Sequence, residues 1–420
     1  MITKLQEDAC WIENLVELEM RDSDGIIRSM LKLNTLKPWQ AGDLSESDLH
    51  ATIPGYEKMP YEGVLNYENT GMVQGTYLSA LVLKYRVTGD ASVLEMARRT
   101  FRGIVRVYEM SQTVAPGFYC KPWGIRAQTT NETSSDQYIY ILCGLDDYYP
   151  IASSEEQHSI RTMIIAMVRF WLDHHYDWKY FGEMLHWPEV RFIAFMAMAF
   201  KYGGGADFAT EQERLMFQLV NQPNTPFVST ISENLHKQPD GEVWIKPNPA
   251  RCLSTYLSLE SAMRKQNHPR FMEICRESIQ FGKMGLAGDG TTYYKLIRNP
   301  KTGNFQEMDP HEYSFHPVHK LSSIFGLDAP YRRGGMENTM FARFVLAFEE
   351  FDSDCGGSLL AQNILTQVGT KHLTWFEDPY GIFPDEIRWM TNVFSGDAAA
   401  NWLWCYWKLR LREPAGLSGN

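Results

Sequence analysis

Cysteine is sparse in this sequence. The seven residues, at 10, 120, 143, 252, 275, 355 and 405, are scattered and form no C-x-x-C pair. An odd, dispersed set argues against a disulfide framework or a zinc knuckle. Runs of basic residues are also lacking, and the formal net charge is −11. That balance disfavours nucleic acid as a partner and repels extended polyanions. A small acidic ligand stays open, because a few arginines in a cleft outweigh a distant negative surface. No stretch approaches the ~18 uninterrupted apolar residues of a membrane span, and no membrane partner is expected. The first residues, Met1 to Asp8, lack the basic and apolar regions of a signal peptide, so the expected location is cytoplasmic. No Ser/Gly-rich or charged linker interrupts the chain, which predicts one domain over residues 1–420, with 1–60 as a helix and loop packed on it. Residue-level repeats of the tetratricopeptide or leucine-rich kind are missing, which puts a solenoid second to a closed architecture.

What is present is an alternation. Six times a polar and aromatic cluster opens an apolar, weakly charged segment, and a more charged amphipathic segment comes after it. The openings are Tyr67 to Gly71, Asn131 to Gln137, His186 to Glu189, Lys246 to Pro249, Asp309 to Glu312 and Ser395 to Asp397. A helix apolar all round must be buried, and one with a single apolar stripe lies outside it. Paired inner and outer helices of this kind close into a ring, whose inner-helix N-termini converge on one mouth. The first pair runs from Thr70 to Arg86, stops at Thr88-Gly89-Asp90, and resumes through Met96, Phe101, Ile104 and Tyr108 with Arg98, Arg99, Arg102 and Arg106 on the wet face. The second has Tyr138 to Tyr149, then a capping box at Ser153-Ser154-Glu155-Glu156. The third covers His186 to Tyr202 and the fourth Pro249 to Arg264, each succeeded by a charged helix. A small β-hairpin excursion is expected from Gly288 to Asn304, because turn residues there flank short β-prone runs. The fifth pair is the least regular, with His311 to Phe325, a break at Gly334-Gly335, and Thr339 to Phe351. The sixth inner helix, from Ala398, takes the N-terminal helix as its outer partner.

The segment Asn69 to Tyr77 through Tyr85-Arg86-Val87-Thr88-Gly89-Asp90, with Arg98 and Phe101, resembles the hairpins of the six-hairpin (α/α)6-barrel glycosidases. The likeness spans residues 67–411 in architecture, and the uronic-acid-directed members, such as unsaturated glucuronyl hydrolases and β-glucuronidase-like enzymes, are the functional relatives it suggests. It implies an all-α toroid, a glycan-binding funnel with aromatic walls, and a catalytic acid near the start of an inner helix. Asp136 is the residue most similar in position to such a catalytic aspartate. The His-Asp-Leu-Gly segment of the glucuronyl hydrolases is absent from this sequence.

Glycosidic cleavage commonly uses two carboxyl groups, one to protonate the leaving oxygen and one to activate water or attack the sugar. Asp136 and Glu132 are spaced four apart at a helix start, which would place them on one face and raise the affinity of one for its proton. The competing account is structural: Thr133-x-x-Asp136 is also a capping-box pattern. A second carboxylate is available from Glu68, Glu189 or Asp397, and Glu189 has His186, Trp187 and Arg191 beside it. Arginine forks match a carboxylate bidentately, so a uronate points to Arg126, Arg191 and Arg251. Gln137 adjoins Asp136, while Tyr119, Trp123, Trp187 and Trp244 could stack on pyranose faces, with core packing as the competing account for each. His311, His316 and His319 lack metal-site spacing and Pro317 interrupts them, so no metal and no cofactor are expected, and His311 is a sugar-binding candidate. The expected activity is hydrolysis of a small carbohydrate carrying a uronic acid. The alternatives are a lyase or epimerase using His186, His311 or Tyr138 as base, and a noncatalytic helical scaffold.

Overall fold

The computed structural model describes residues 2–44, 61–124, 127–180, 183–221, 231, 234–237, 241–266, 268–293, 295–307, 332–381, 383 and 385–412. Six inner helices form a ring: α3 (Thr70–Thr88), α5 (Ser135–Tyr148), α7 (Ile193–Lys201), α9 (Pro249–Lys265), α11 (Gly335–Phe348) and α14 (Gly396–Arg412). Each packs on the next, and α14 returns to α3. The outer helices are α4 (Ala91–Ser111), α6 (Ser154–Asp173), α8 (Ala206–Asn221), α10 (Pro269–Gly285), α12 (Gly357–Val368) and α1 (Ile2–Leu15). The last lies against α14, as expected from the sequence. Two short helices, α2 (Tyr61–Tyr67) and α13 (Asp385–Arg388), complete the set among the described residues. The all-α toroid is therefore present.

Inner and outer helices differ in the way their composition requires. In α3 every residue from Val73 to Leu83 is buried. In α4 burial is confined to a stripe through Val93, Ala97, Phe101, Ile104 and Val107, while Arg99, Arg102 and Arg106 face solvent. Gly89 ends α3 in the left-handed region at φ 65°, and Asp90 caps α4 by accepting from the Ser92 amide. Ser153 and Glu156 form the capping box that starts α6.

The seam between α3 and α5 sets how closely two of the helix starts approach at the mouth. A Cβ on Gly75 would lie 2.2 Å from the Tyr140 carbonyl oxygen, and one on Gly144 would lie 2.4 Å from that of Gly75. Only glycine allows this approach. Gln137 fastens the two starts there, its Oε1 accepting from the Gly71 amide at 2.9 Å.

Strand content exceeds one hairpin. Strands β1 (Met30–Lys32) and β11 (Val393–Ser395) pair in an antiparallel register, Met30 opposite Ser395. Strands β2 (Asp177–Tyr180) and β3 (Glu183–His186) form a hairpin. A four-stranded antiparallel sheet has the order β4 (Leu235–Lys237), β5 (Val243–Ile245), β7 (Leu296–Arg298), β8 (Phe305–Glu307). A three-stranded one has β10 (Phe376–Glu377), β9 (Arg332–Arg333), β6 (Thr292–Tyr293). Strands β3, β5, β9 and β11 each lead toward the start of an inner helix, so the small sheets ring the mouth. The excursion expected over Gly288 to Asn304 is divided between two sheets: β6 pairs with β9, while β7 and β8 form a hairpin that turns at Asn299 to Asn304 and extends to Glu307.

Two expected helix starts are corrected. The third inner helix does not begin at His186, which ends β3; a 3₁₀ turn at Glu189–Phe192 precedes α7. The fifth begins at Gly335, so the stretch from Thr339 belongs to the inner helix and the Gly334-Gly335 pair is its opening rather than a break. The Asp309 to Glu312 cluster lies outside the described residues. So do His311, His316 and His319.

Candidate functional site

The first, second, fourth and fifth inner-helix starts, with the 3₁₀ turn before α7, enclose a cavity of ≈ 630 Å³. Glu68 and Asn69 come from the start of α3, Ser134 and Asp136 from α5, Arg191 from the 3₁₀ turn, Asn248, Arg251 and Ser254 from α9, and Arg333 and Glu337 from β9 and α11. Tyr180 on the β2–β3 hairpin, His236 on β4, Tyr140, Asn234, Lys246 and Lys121 add to the polar lining among the described residues. Convergence arises from the toroid: helices of one ring point the same way, so their N-termini, with partial positive charge, meet at one end.

Asp136 sits in the first turn of α5, on the cavity side. Its Oδ1 accepts from Arg191 Nη1 at 3.1 Å and from Ser254 Oγ at 3.4 Å. Arg191 Nη1 also donates to Ser135 Oγ at 2.8 Å. Ser134 is the N-cap residue and makes no side-chain cap bond, while Thr133 donates its hydroxyl to the Tyr119 carbonyl. The Thr133-x-x-Asp136 capping box is thus not formed, which removes the principal structural account of Asp136.

The same lining holds a buried ion pair, Glu68 with Lys121, both side chains at most 3% exposed. Burial alone would lower the Lys121 pKa, but the Glu68 carboxylate outweighs it and the net shift is upward. The Lys121 ammonium also lies 5.1 Å from the centroid of the Tyr180 ring, whose hydroxyl burial pushes up to about 12. Arg333 pairs with Glu337 at 3.3 Å, and Glu337 Oε2 accepts from the Ala250 amide at 2.9 Å, joining α11 to the start of α9. Among the described residues, five basic side chains (Lys121, Arg191, Lys246, Arg251, Arg333) line the cavity against three acidic ones (Glu68, Asp136, Glu337). The described part of the lining is therefore net positive in a chain of net charge −11. Burial lowers the Arg191 pKa, with Asp136 opposing that shift. His236 stacks on Trp244, with ring centroids 3.8 Å apart and planes 11° from parallel.

Asp397, the sixth opening's acid, is buried beside this cluster. Its Oδ2 accepts from Asn69 Nδ2 at 2.8 Å. Burial, with Glu68 adding to it, pushes its pKa up to about 7.

The structure brings Asp136, Glu68, Arg191 and Arg251 together and leaves the other described candidates off the cavity lining. Glu132 precedes α5 and lies outside its helical face, so the four-residue spacing to Asp136 does not align the two carboxylates. It is nearly buried, and its charge reaches Lys121 and Tyr180. His186 is exposed at the end of β3, 2.7 Å from Asp177 and 3.7 Å from Glu189. Glu189 bonds to Arg214 at 2.8 Å on the outer side. Neither His186, at the end of the hairpin, nor Glu189, in the 3₁₀ turn after it, lines the cavity. Trp123, Trp187 and Tyr119 are buried, and Tyr119 packs edge-on against Tyr138 in the core. Tyr138 lies among Phe170, Trp171 and Phe195, so it is no base for a substrate. Gln137 is buried as the α3–α5 tie. Trp244 contributes as the surface beneath His236. Arg126 and His311 lie outside the described residues.

Sequence reasoning passed over Tyr180, His236, Glu337 and Ser254. The first two sit on strands of three or four residues, too short to show alternation. Glu337 was legible in principle as an acid in the first turn after Gly334-Gly335. Among the described residues no group of three or more His, Cys, Asp or Glu side chains could hold a metal ion. No helix among them is long and apolar enough to cross a membrane.

No protein-family model matches the chain, and no curated protein matches it. Solved structures do. A cellobiose 2-epimerase from Bacillus thermoamylovorans superposes with a TM-score of 0.54 at 11% identity, covering 96% of this chain and 99% of the epimerase. A glycoside hydrolase family 76 mannosidase from Bacteroides thetaiotaomicron gives 0.53 at 10% identity, over 97% of this chain and 98% of the other. An unsaturated glucuronyl hydrolase from Streptococcus agalactiae gives 0.53 at 8% identity, over 97% and 92%. These likenesses show a shared fold, an (α/α)6 toroid.

Proposed function

We propose that the protein is a carbohydrate-active enzyme that hydrolyses a small glycoside bearing a uronic acid. The observation that carries this reading is Asp136, fixed at an inner-helix start by Arg191 and Ser254 inside a cavity whose described lining is net positive. Asp136 serves the leaving glycosidic oxygen as proton donor, and Glu68 is the second carboxylate of the cavity. The glycosidic C–O bond breaks, water supplies the hydroxyl to the anomeric carbon, and its second proton restores the acid. Lys246, Arg251 and Arg333 meet the substrate carboxylate, and Tyr180 offers a ring face to the sugar. The alternative of a noncatalytic scaffold implies a mouth blocked by core aromatics, whereas a cavity of ≈ 630 Å³ stands there. Free cysteines throughout support action in the cytoplasm.

A second reading, epimerase or lyase, is favoured by one observation. His236 lines the cavity on a flat Trp244 platform, where an imidazole could take a proton α to a carboxylate or carbonyl. The two separate by product: hydrolysis releases a reducing sugar, elimination creates an ultraviolet-absorbing unsaturated uronide, and epimerisation gives neither. The deciding experiment is a screen of glucuronides and unsaturated uronides with wild type and Asp136→Asn. Hydrolysis that falls by about 10²–10⁴-fold in the variant supports the assignment; full activity in the variant removes Asp136 from the mechanism.

A further inference from the structure

Two carboxylate oxygens near the mouth have no hydrogen-bond donor. Glu68 Oε2 and Asp397 Oδ1 are both fully shielded from solvent and accept no bond. Their other oxygens are engaged, Glu68 Oε1 by Lys121 and Asp397 Oδ2 by Asn69. The two acids come from opposite sides of one seam: Glu68 precedes α3, and Asp397 is in the first turn of α14, which packs along it. A buried acceptor left unpaired loses its bonds to water without replacement, a cost that rises when it is charged. Two such acceptors within electrostatic reach of each other call for a proton.

Charge balance agrees. The charges that act on Asp397 are Glu68 and Lys121. On its other side, α11 contributes Glu337 and β9 Arg333, already paired to each other, while Arg343 bonds to Thr76 and to Asn401, one turn further along α14. With both acids ionised, the group of Glu68, Asp397 and Lys121 carries a net negative charge on side chains that are almost wholly buried. With one proton it is neutral.

We propose that Glu68 and Asp397 form a carboxyl–carboxylate pair holding a single proton, which resides on Asp397, so that the cavity-lining Glu68 carries the pair's negative charge against Lys121. Asp397 is then a positioning residue. It acts on the cavity through Glu68 and through Asn69, which itself lines the cavity. The upward displacement of the Asp397 pKa to about 7 fits this arrangement. Ionising Asp397 places a second negative charge behind Glu68 and removes the neutral state of the cluster. The functional consequence rests on the proposed hydrolase activity; the proton itself does not.

The test is infrared difference titration of the whole protein without substrate, tracking the carbonyl stretch of a solvent-shielded carboxylic acid. Wild type should show such a band that disappears as pH rises through about 7. Asp397→Asn, whose amide copies the shape and the donor of the protonated acid, should lack that component. A band that survives intact in Asp397→Asn overturns the proposal. If that variant does not fold, Glu68→Gln decides. With Glu68 uncharged, Lys121 takes Asp397 as its counterion, and the band should titrate at a lower pH. An unchanged titration in Glu68→Gln refutes the pairing. Where a glycoside is turned over, the fall in kcat/KM above about pH 7 should be absent in Asp397→Asn, which a merely structural residue would not produce. If no glycoside is turned over, the hydrolase reading fails while the infrared result still stands or falls by itself.

Discussion

Arg191 holds Asp136 through a single nitrogen that also bonds Ser135, at 3.1 and 2.8 Å. The guanidinium therefore fixes the direction of the Asp136 carboxyl group against the start of its helix. Its plane also lies near Trp187, with Cζ 5.8 Å from the ring centroid. Lysine keeps the charge but loses the planar fork. Arg191→Lys is expected to lower kcat/KM by about 10–100-fold with a thermal midpoint within a few degrees of wild type. Steady-state kinetics beside a melting curve would check this. Loss of folding together with activity would instead mark Arg191 as structural.

The Glu68–Lys121 pair is the most deeply buried ion pair among the described cavity-lining residues. Removing one partner of such a pair strands the other. Lys121→Met should therefore destabilise the protein by about 3–5 kcal/mol in chemical denaturation. The double variant Lys121→Met with Glu68→Gln should recover most of that loss, because neither buried charge remains. If the two single variants simply add, the residues do not act as a pair.

The ring could be read from the sequence, and its rim could not. Uniformly apolar segments such as the one from Val73 to Leu83 and striped ones such as the one from Val93 to Val107 carry their burial in their periodicity, and Gly89-Asp90 marks the boundary between them. Asp136 and Glu68 were legible because helix starts in a closed ring must share one mouth. The rim depends on strands of two to four residues, whose pairing joins distant segments such as Met30 and Ser395. Such strands show no alternation, so nothing local indicates that β2–β3 points Tyr180 inward and carries His186 outward. The fifth opening was missed for a related reason. Gly334 and Gly335 look like a break, yet a Cβ on Gly334 would lie 2.2 Å from the Thr374 carbonyl oxygen, so they mark a close approach at the start of α11.

Asp397 gives stability a pH dependence opposite to that of an ordinary surface-paired carboxylate. Its pKa in the folded protein, about 7, lies above the 3.8 of an unperturbed aspartate. The unfolded chain therefore releases the proton first as pH rises. The contribution of the protonated group is complete below about 3.8, declines through the interval, and is gone above about 7. Asp397→Asn cannot ionise, so the difference in unfolding free energy between variant and wild type should grow in the variant's favour as pH rises from about 4 to about 7, then level off. Denaturant titrations at a series of pH values would measure it. A difference independent of pH would mean that Asp397 is ionised in the folded state throughout.

Gly75 lies one turn past the start of α3 and touches no part of the cavity, yet it should control activity. Its Cα approaches α5 so closely that an added methyl would fall 2.2 Å from the Tyr140 carbonyl oxygen and 2.4 Å from its carbon. Both are backbone atoms and cannot rotate aside, so Gly75→Ala must push α3 away from α5. That movement separates Glu68 and Asn69 from Asp136 and strains the Gly71–Gln137 bond. The expected cost is about 1–3 kcal/mol of stability, with a further loss of kcat that persists at temperatures where the variant is fully folded. Gly89→Ala is the control, because a Cβ there meets nothing within 4 Å and the substitution disturbs only a helix end held at φ 65°. It should cost about 1 kcal/mol through the left-handed backbone alone and leave kcat unchanged. Equal effects of the two alanines on kcat would show that the α3–α5 seam does not set the cavity's geometry.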